Sequence, residues 1–154
     1  ARTSELLQRK PFVWDNYPVN DTARMSRYLH LRGFTGRPAA IASHVSAHGV
    51  NPALQPTLSL IPALTLADSY RRGDNYAYGA ATDVAAQLVL GDELAALVRD
   101  DMLWFTDVGR DRLDDERITA LRARYSRFDQ EGAKEIVAWL NGSYVITDAI
   151  IRSQ

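Results

Sequence analysis

There is no cysteine anywhere in the 154 residues. Disulfides and thiolate-ligated metal centres are therefore excluded. Lysine is almost missing as well: of 18 basic residues, only Lys10 and Lys134 are not arginine. With the abundant alanine, this bias points to a GC-rich genome. Charge of one sign is also lacking, because the formal net charge is −1 and acids and bases are interspersed. That leaves no electrostatic footprint for a nucleic-acid partner. No apolar run approaches a membrane span, and the polar N-terminus is not a signal peptide, so a membrane partner is not expected. No glycine-rich phosphate loop, nucleophile elbow or metal-ligand motif occurs, and no cofactor is implied. Proline is absent after Pro62: Pro11, Pro18, Pro38, Pro52, Pro56 and Pro62 all precede Asn75. The chain opens at Ala1 without an initiator methionine, which reads as a processed or excised piece.

What is present can fold. Apolar residues make up 46% of the chain, enough for a core. The length suits one domain or parts of two. Because proline breaks helix interiors, the second half should be helical and the first more mixed. Residues 4–9 read as a helix end and 11–14 as a short buried strand. A polar loop follows over 15–21. A second strand is expected within 44–50, ending before Asn51-Pro52, since a residue preceding proline prefers an extended conformation. A helix should run over 57–72, with Leu58, Ile61, Leu64 and Leu66 among its apolar positions and Pro62 forcing a kink or a later start. Further helices are expected at 80–90, 92–105 (Asp92 as N-cap), 114–128 and 130–140, the last stopped by Asn141-Gly142. The apolar stretch 143–151 fits either helix or strand. Two short strands cannot make a stable sheet alone. They make sense as the last βα units of a (β/α)8 barrel, so the expected fold is α/β to mostly α. Residues 1–72 would be the end of the barrel domain and 73–154 a helical domain after it.

The most informative stretch is Trp14-Asp15-Asn16-Tyr17-Pro18-Val19-Asn20-Asp21, where a strand runs straight into amides, a carboxylate and aromatics. Active sites of such barrels lie at the C-terminal ends of the strands. Sugar recognition needs side chains that bond hydroxyls and an aromatic wall for the apolar face, and this stretch holds both. Taken alone, it also fits an ordinary loop rich in side-chain-to-backbone bonds.

This run resembles the seventh-strand motif of family 84 glycoside hydrolases, which include bacterial hyaluronidase-like β-N-acetylglucosaminidases and animal O-GlcNAcase. Two further blocks are similar. Leu29-His30-Leu31-Arg32-Gly33-Phe34-Thr35-Gly36-Arg37 resembles the family's Leu-x-Leu-Gly-Pro-x-x-Gly-Arg, with Arg32 and Gly33 departing from the usual Gly-Pro. Gly49-Val50-Asn51-Pro52, followed by Ala63-Leu64-Thr65-Leu66-Ala67-Asp68-Ser69-Tyr70, resembles the eighth strand and the helix after it, with Pro56 and Pro62 as departures. The resemblance covers about residues 12–70, under half of the chain. It implies that Trp14 lines an acetamido pocket, that Asn16 bonds near the acetamido group, that Asp21 accepts from outer hydroxyls, and that Asn51 bonds hydroxyls from the eighth strand. It implies substrate-assisted retaining hydrolysis of terminal β-linked N-acetylglucosamine on a glycan or an O-GlcNAc-modified protein. The family's catalytic Asp pair ends the fourth strand, which would lie upstream of Ala1. No catalytic residue is therefore expected in this chain, and the upstream part of the same catalytic domain becomes an implied partner. An open barrel would also expose strand edges, which favours a homodimer or aggregation.

Other candidates weigh less. Asp100-Asp101 and Asp114-Asp115 lie in helical patterns, where adjacent residues diverge and do not share a pocket, so both read as solvated. His44 and His48 would pair on a metal only in a helix, and the region reads as strand. Arg71-Arg72 suits a helix C-terminus. Trp104, Phe105, Tyr125, Phe128 and Trp139 read as core. If instead they formed an exposed aromatic groove, the chain would be a non-catalytic helical protein-interaction module.

Overall fold

The computed structural model describes residues 2–147. A short helix α1 (Arg2–Leu7) leads into strand β1 (Phe12–Asp15). A long irregular segment with two 3-10 turns, Met25–Arg27 and Ala39–His44, connects to strand β2 (Ala47–Val50). The strands are parallel, with Phe12 opposite Ala47 and Asp15 opposite Val50. The ladder runs on past them, because the Asn51 amide donates to the Asp15 carbonyl at 2.9 Å. Helices follow: α2 (Pro56–Arg72), α3 (Tyr78–Leu90), α4 (Asp92–Asp100), α5 (Asp115–Tyr125) and α6 (Glu131–Leu140).

The expected elements are present, with shifted ends. Helix α2 begins at Pro56 instead of starting late, because proline suits the first turn, where its missing N–H has no partner to lose. It continues unbroken through Pro62. Asp92 is not the cap of α4. Gly91 occupies that position at φ 77°, ψ 163°, a backbone geometry that glycine adopts without strain, and Asp92 is the first helical residue. The helix expected over 92–105 ends at Asp100 and gives way to a π-helical turn, Trp104–Val108. There the Thr106 hydroxyl donates to the Met102 carbonyl at 2.8 Å, a local bond that competes with the regular ladder. After α6 the chain turns at Gly142 (φ 83°). The open choice over 143–151 lies largely outside the described residues.

One buried cluster draws on residues 29–140. Leu29 and Leu31 from the irregular segment and Leu58 and Ile61 of α2 pack with Leu90, Leu94, Phe105, Leu121, Tyr125, Ile136 and Trp139. Phe105 meets Tyr125 and Trp139 edge-on at 5.5 and 5.8 Å. Since Phe105, Tyr125 and Trp139 are buried in this core, the five aromatics form no exposed groove. Asp101 corrects the solvated reading of its pair. It is 5% exposed, holds Arg124 through both carboxylate oxygens at 3.0 and 2.8 Å, and accepts the Tyr125 hydroxyl at 3.0 Å. It looks inward because α4 ends there and the following turn brings it over α5. Asp114 is the N-cap of α5, accepting the Arg117 amide at 2.7 Å. Neither pair offers two carboxylates to one pocket.

Candidate functional site

Strand alternation sorts the residues of the first block. Phe12 and Trp14 share one face of β1 and are exposed, Trp14 at 60%, so β1 is not the buried strand expected from its apolar run. Val13 and Asp15 lie on the other face. Asn16, two residues beyond Trp14, joins it: the Trp14 indole N–H donates to Asn16 Oδ1 at 3.0 Å. Asn51, at the end of β2, donates to the same oxygen from Nδ2 at 3.3 Å. Three of the four expected sugar-binding residues thus meet at the C-terminal ends of two parallel strands. Asp21 is exposed, and among the described residues its carboxylate has no hydrogen-bond partner.

Asp21 is placed through its neighbour. Asn20 is fully buried and makes three hydrogen bonds. Its Nδ2 donates to the Tyr28 carbonyl at 3.0 Å and to Gln55 Oε1 at 2.9 Å, and its Oδ1 accepts the Leu54 amide at 2.8 Å. One amide therefore ties the loop after β1 to the segment after Asn51. Gln55 is held the other way round: its Nε2 is the single buried side-chain polar atom without a partner among the described residues. Tyr17 points away from this cluster. Its hydroxyl donates to the Arg32 carbonyl at 2.6 Å, and its ring stacks on His30 and meets Phe34 edge-on. Burial pushes its phenol far above the ordinary range.

The second block lies along α2. The Phe34 amide donates to Thr65 Oγ1 at 2.8 Å, and Tyr76 donates to the Phe34 carbonyl at 2.9 Å. At Gly33 a Cβ would stand 2.5 Å from Thr82 Oγ1 and 3.1 Å from the Thr65 side chain, so any larger residue would require those side chains to shift. His30 donates from Nδ1 to the Pro18 carbonyl at 2.9 Å. Burial pushes its imidazole below the ordinary value of 6.5. The unfolded chain therefore takes up this proton first as pH falls below 6.5, and the folded state loses stability from there downward. The thermal midpoint should drop between about pH 7 and about pH 5, and His30→Gln should flatten that slope. An equally steep profile in the variant would show that His30 is not the group responsible.

On the far face of β1 is a cluster that sequence reasoning missed. Asp15 receives Arg37 through a fork, Nε to Oδ2 at 2.7 Å and Nη2 to Oδ1 at 2.8 Å. His48 Nε2 stands 3.3 Å from Asp15 Oδ2, and His48 Nδ1 is 2.7 Å from the Tyr70 hydroxyl. The Arg37 hydrogen bond and charge, outweighing the cost of burial, hold the Asp15 carboxyl below its usual value. His48 belongs to β2 while His44 ends a 3-10 turn, so the two do not form a helical pair. Among the described residues no three His, Asp or Glu side chains gather as metal ligands. Arg71 and Arg72 both close on Asp68 of the same helix, as expected of a last turn.

A family model described as beta-N-acetylglucosaminidase matches residues 1–106. The chain belongs to this family. It is similar to a mutant of the O-GlcNAc hydrolase of Thermobaculum terrenum, at 25% identity and a TM-score of 0.63, over 90% of this chain and 36% of that one. It is also similar to CpGH84B, at 21% identity and a TM-score of 0.53, over 99% of this chain and 29% of that one. The second likeness carries the fold alone. The chain thus spans about a third of the length of these solved relatives. No curated protein sequence matches it. The family expected from the three blocks is the family found, and the mostly helical fold with two strands is shared with these structures.

Proposed function

We propose that this chain is the C-terminal portion of a retaining β-N-acetylglucosaminidase, with 1–72 closing a (β/α)8 barrel and 73–154 forming the helical domain behind it. The observation that carries this reading is the meeting of Trp14, Asn16 and Asn51 on Asn16 Oδ1 at the ends of two parallel strands. That is where a barrel of this kind holds its substrate. In this reading Trp14 walls the acetamido group of a terminal N-acetylglucosamine. Asn16 and Asn51 bond the acetamido group and ring hydroxyls, and the uncommitted carboxylate of Asp21 accepts from the outer hydroxyls, a charge-assisted contact. The acetamido oxygen of the substrate attacks the anomeric carbon, so no enzyme carboxylate serves as nucleophile, unlike the ordinary two-carboxylate scheme. The Asp pair that polarises the acetamide and protonates the leaving group comes from upstream sequence. The exposed face of Phe12 and Trp14 is the surface that the upstream strands would cover.

Calorimetric titration with an N-acetylglucosamine-thiazoline inhibitor tests this, using the chain alone and the chain with the upstream part of its gene product. Binding and hydrolysis of an aryl N-acetylglucosaminide are expected only in the reconstituted protein. There, Asp21→Ala should weaken binding about ten- to a hundredfold, the loss expected for hydrogen bonds to a charged group. Robust turnover by the isolated chain, or no binding in either form, would sink the reading.

A further inference from the structure

Each of the three sequence blocks sends a side chain to the face of the sheet opposite Trp14 and Asn16. The first supplies Asp15, the second Arg37, and the third Tyr70, with His48 from β2 between them. Asp15 sits between Trp14 and Asn16, so alternation points it away from them, to the side where His48 reaches Tyr70 of α2. An ionised carboxylate only accepts, so His48 presents Nε2–H to Asp15. In the neutral imidazole Nδ1 is then the acceptor for the Tyr70 hydroxyl. The Tyr70 phenol is pushed above its ordinary value, first by burial and then by the Asp15 charge, which keeps it a donor. Arg37 adds the two-pronged contact that fixes the carboxylate plane, and its guanidinium lies 5.3 Å from the Phe34 ring centroid. The Asp15 carbonyl meanwhile accepts the Asn51 amide.

We propose that Asp15, clamped by Arg37 and the His48–Tyr70 pair, is a positioning residue that sets the end of β1 so that Trp14, Asn16 and Asn51 hold the sugar. The inference rests on the sugar-pocket reading above. In that reading the cluster lies on the face turned away from the sugar and acts through the residues that hold it. It acts by removing freedom from the backbone on both sides of Asp15, where a small displacement moves Trp14 and Asn16 together.

The test uses the protein carrying its upstream segment and the thiazoline inhibitor as probe. Trp14→Ala and Asn16→Ala come first: if neither weakens binding, the pocket reading fails and this inference with it. Given that they do, Asp15→Asn should weaken binding about ten- to a hundredfold, the usual scale for a small misplacement of binding groups. Combined with Asn16→Ala, it should cost less than the sum of the two single losses, because Asp15 acts in part through that residue. Arg37→Lys should not preserve affinity, since an ammonium cannot make the fork. If Asp15→Asn does not fold, Arg37→Gln, on the more exposed partner, carries the same comparison. Measured well below the melting temperature, a merely stabilising role would leave the affinity of the folded protein unchanged. Unchanged affinity, or losses that simply add to those of Asn16→Ala, would overturn the proposal.

Discussion

Asn20→Ala should lower the thermal midpoint of this chain by about 6–12 °C. The expectation follows from what the amide holds. Removing it leaves the Leu54 amide, the Tyr28 carbonyl and Gln55 Oε1 without their partner. Each unsatisfied buried group costs about 1–3 kcal/mol, the partly accessible backbone groups toward the lower end, so the sum is about 3 kcal/mol. Asn20→Asp separates shape from hydrogen bonding. The new carboxyl can still accept from Leu54, but it faces two acceptors where Nδ2 donated. Burial beside two acceptors, with the Leu54 amide as its one donor, raises its pKa, so the folded state binds a proton that the unfolded chain releases. The stability of that variant should therefore rise as pH falls through the raised pKa and be lowest at neutral pH, opposite in sign to the His30 effect. Thermal melts at about pH 5 and about pH 8 check both substitutions. A wild-type midpoint for Asn20→Ala would mean that the two loops are held together by something else.

Much of the molecule could be read from its residue pattern, for identifiable reasons. Each helix of the second half carries apolar residues at helical spacing and is bounded by Gly91, Asp114 or Asn141-Gly142, local signals that need no knowledge of the fold. The first block was legible because polar and aromatic residues crowd the end of an apolar strand. The inward turn of Asp101 was not legible, because its partners Arg124 and Tyr125 lie on another helix. The Asp15 cluster was hidden for the same reason. Asp15, Arg37, His48 and Tyr70 come from two strands, an irregular segment and a helix, and periodicity within one element cannot join them. A weaker signal was available. Trp14 and Asn16 can share the pocket face only if Asp15 takes the other, and a carboxylate withdrawn from solvent needs a cation. Arg37, which closes the second block, was the candidate.

Glu135→Ala should be nearly as damaging as Asn20→Ala, and the reason begins at Gln55. That residue is the N-cap of α2, yet its side chain makes no capping bond because Oε1 is engaged by Asn20. The first amides of a helix need acceptors from elsewhere. Glu135, on α6 and 7% exposed, supplies them: Oε1 accepts from Thr57 at 2.8 Å and Oε2 from Leu58 at 2.9 Å. A carboxylate is well suited to a helix N-terminus, where the backbone dipole is positive. The contact also joins α6 to the helix that follows β2, so the helical region holds the strand that carries Asn51. Truncation to alanine leaves two amides facing low-dielectric surroundings, a loss of about 3 kcal/mol. Glu135→Gln keeps one acceptor oxygen but turns an NH2 toward the other amide. It should therefore recover less than half of the loss, whereas an equal contribution from shape alone would make it silent. Melting curves of the two variants decide between these outcomes. Hydrogen exchange at Thr57 and Leu58 gives the sharper reading: both amides should lose protection in Glu135→Ala before the rest of α2 does. If they stay protected, the cap is not what holds α2 against α6.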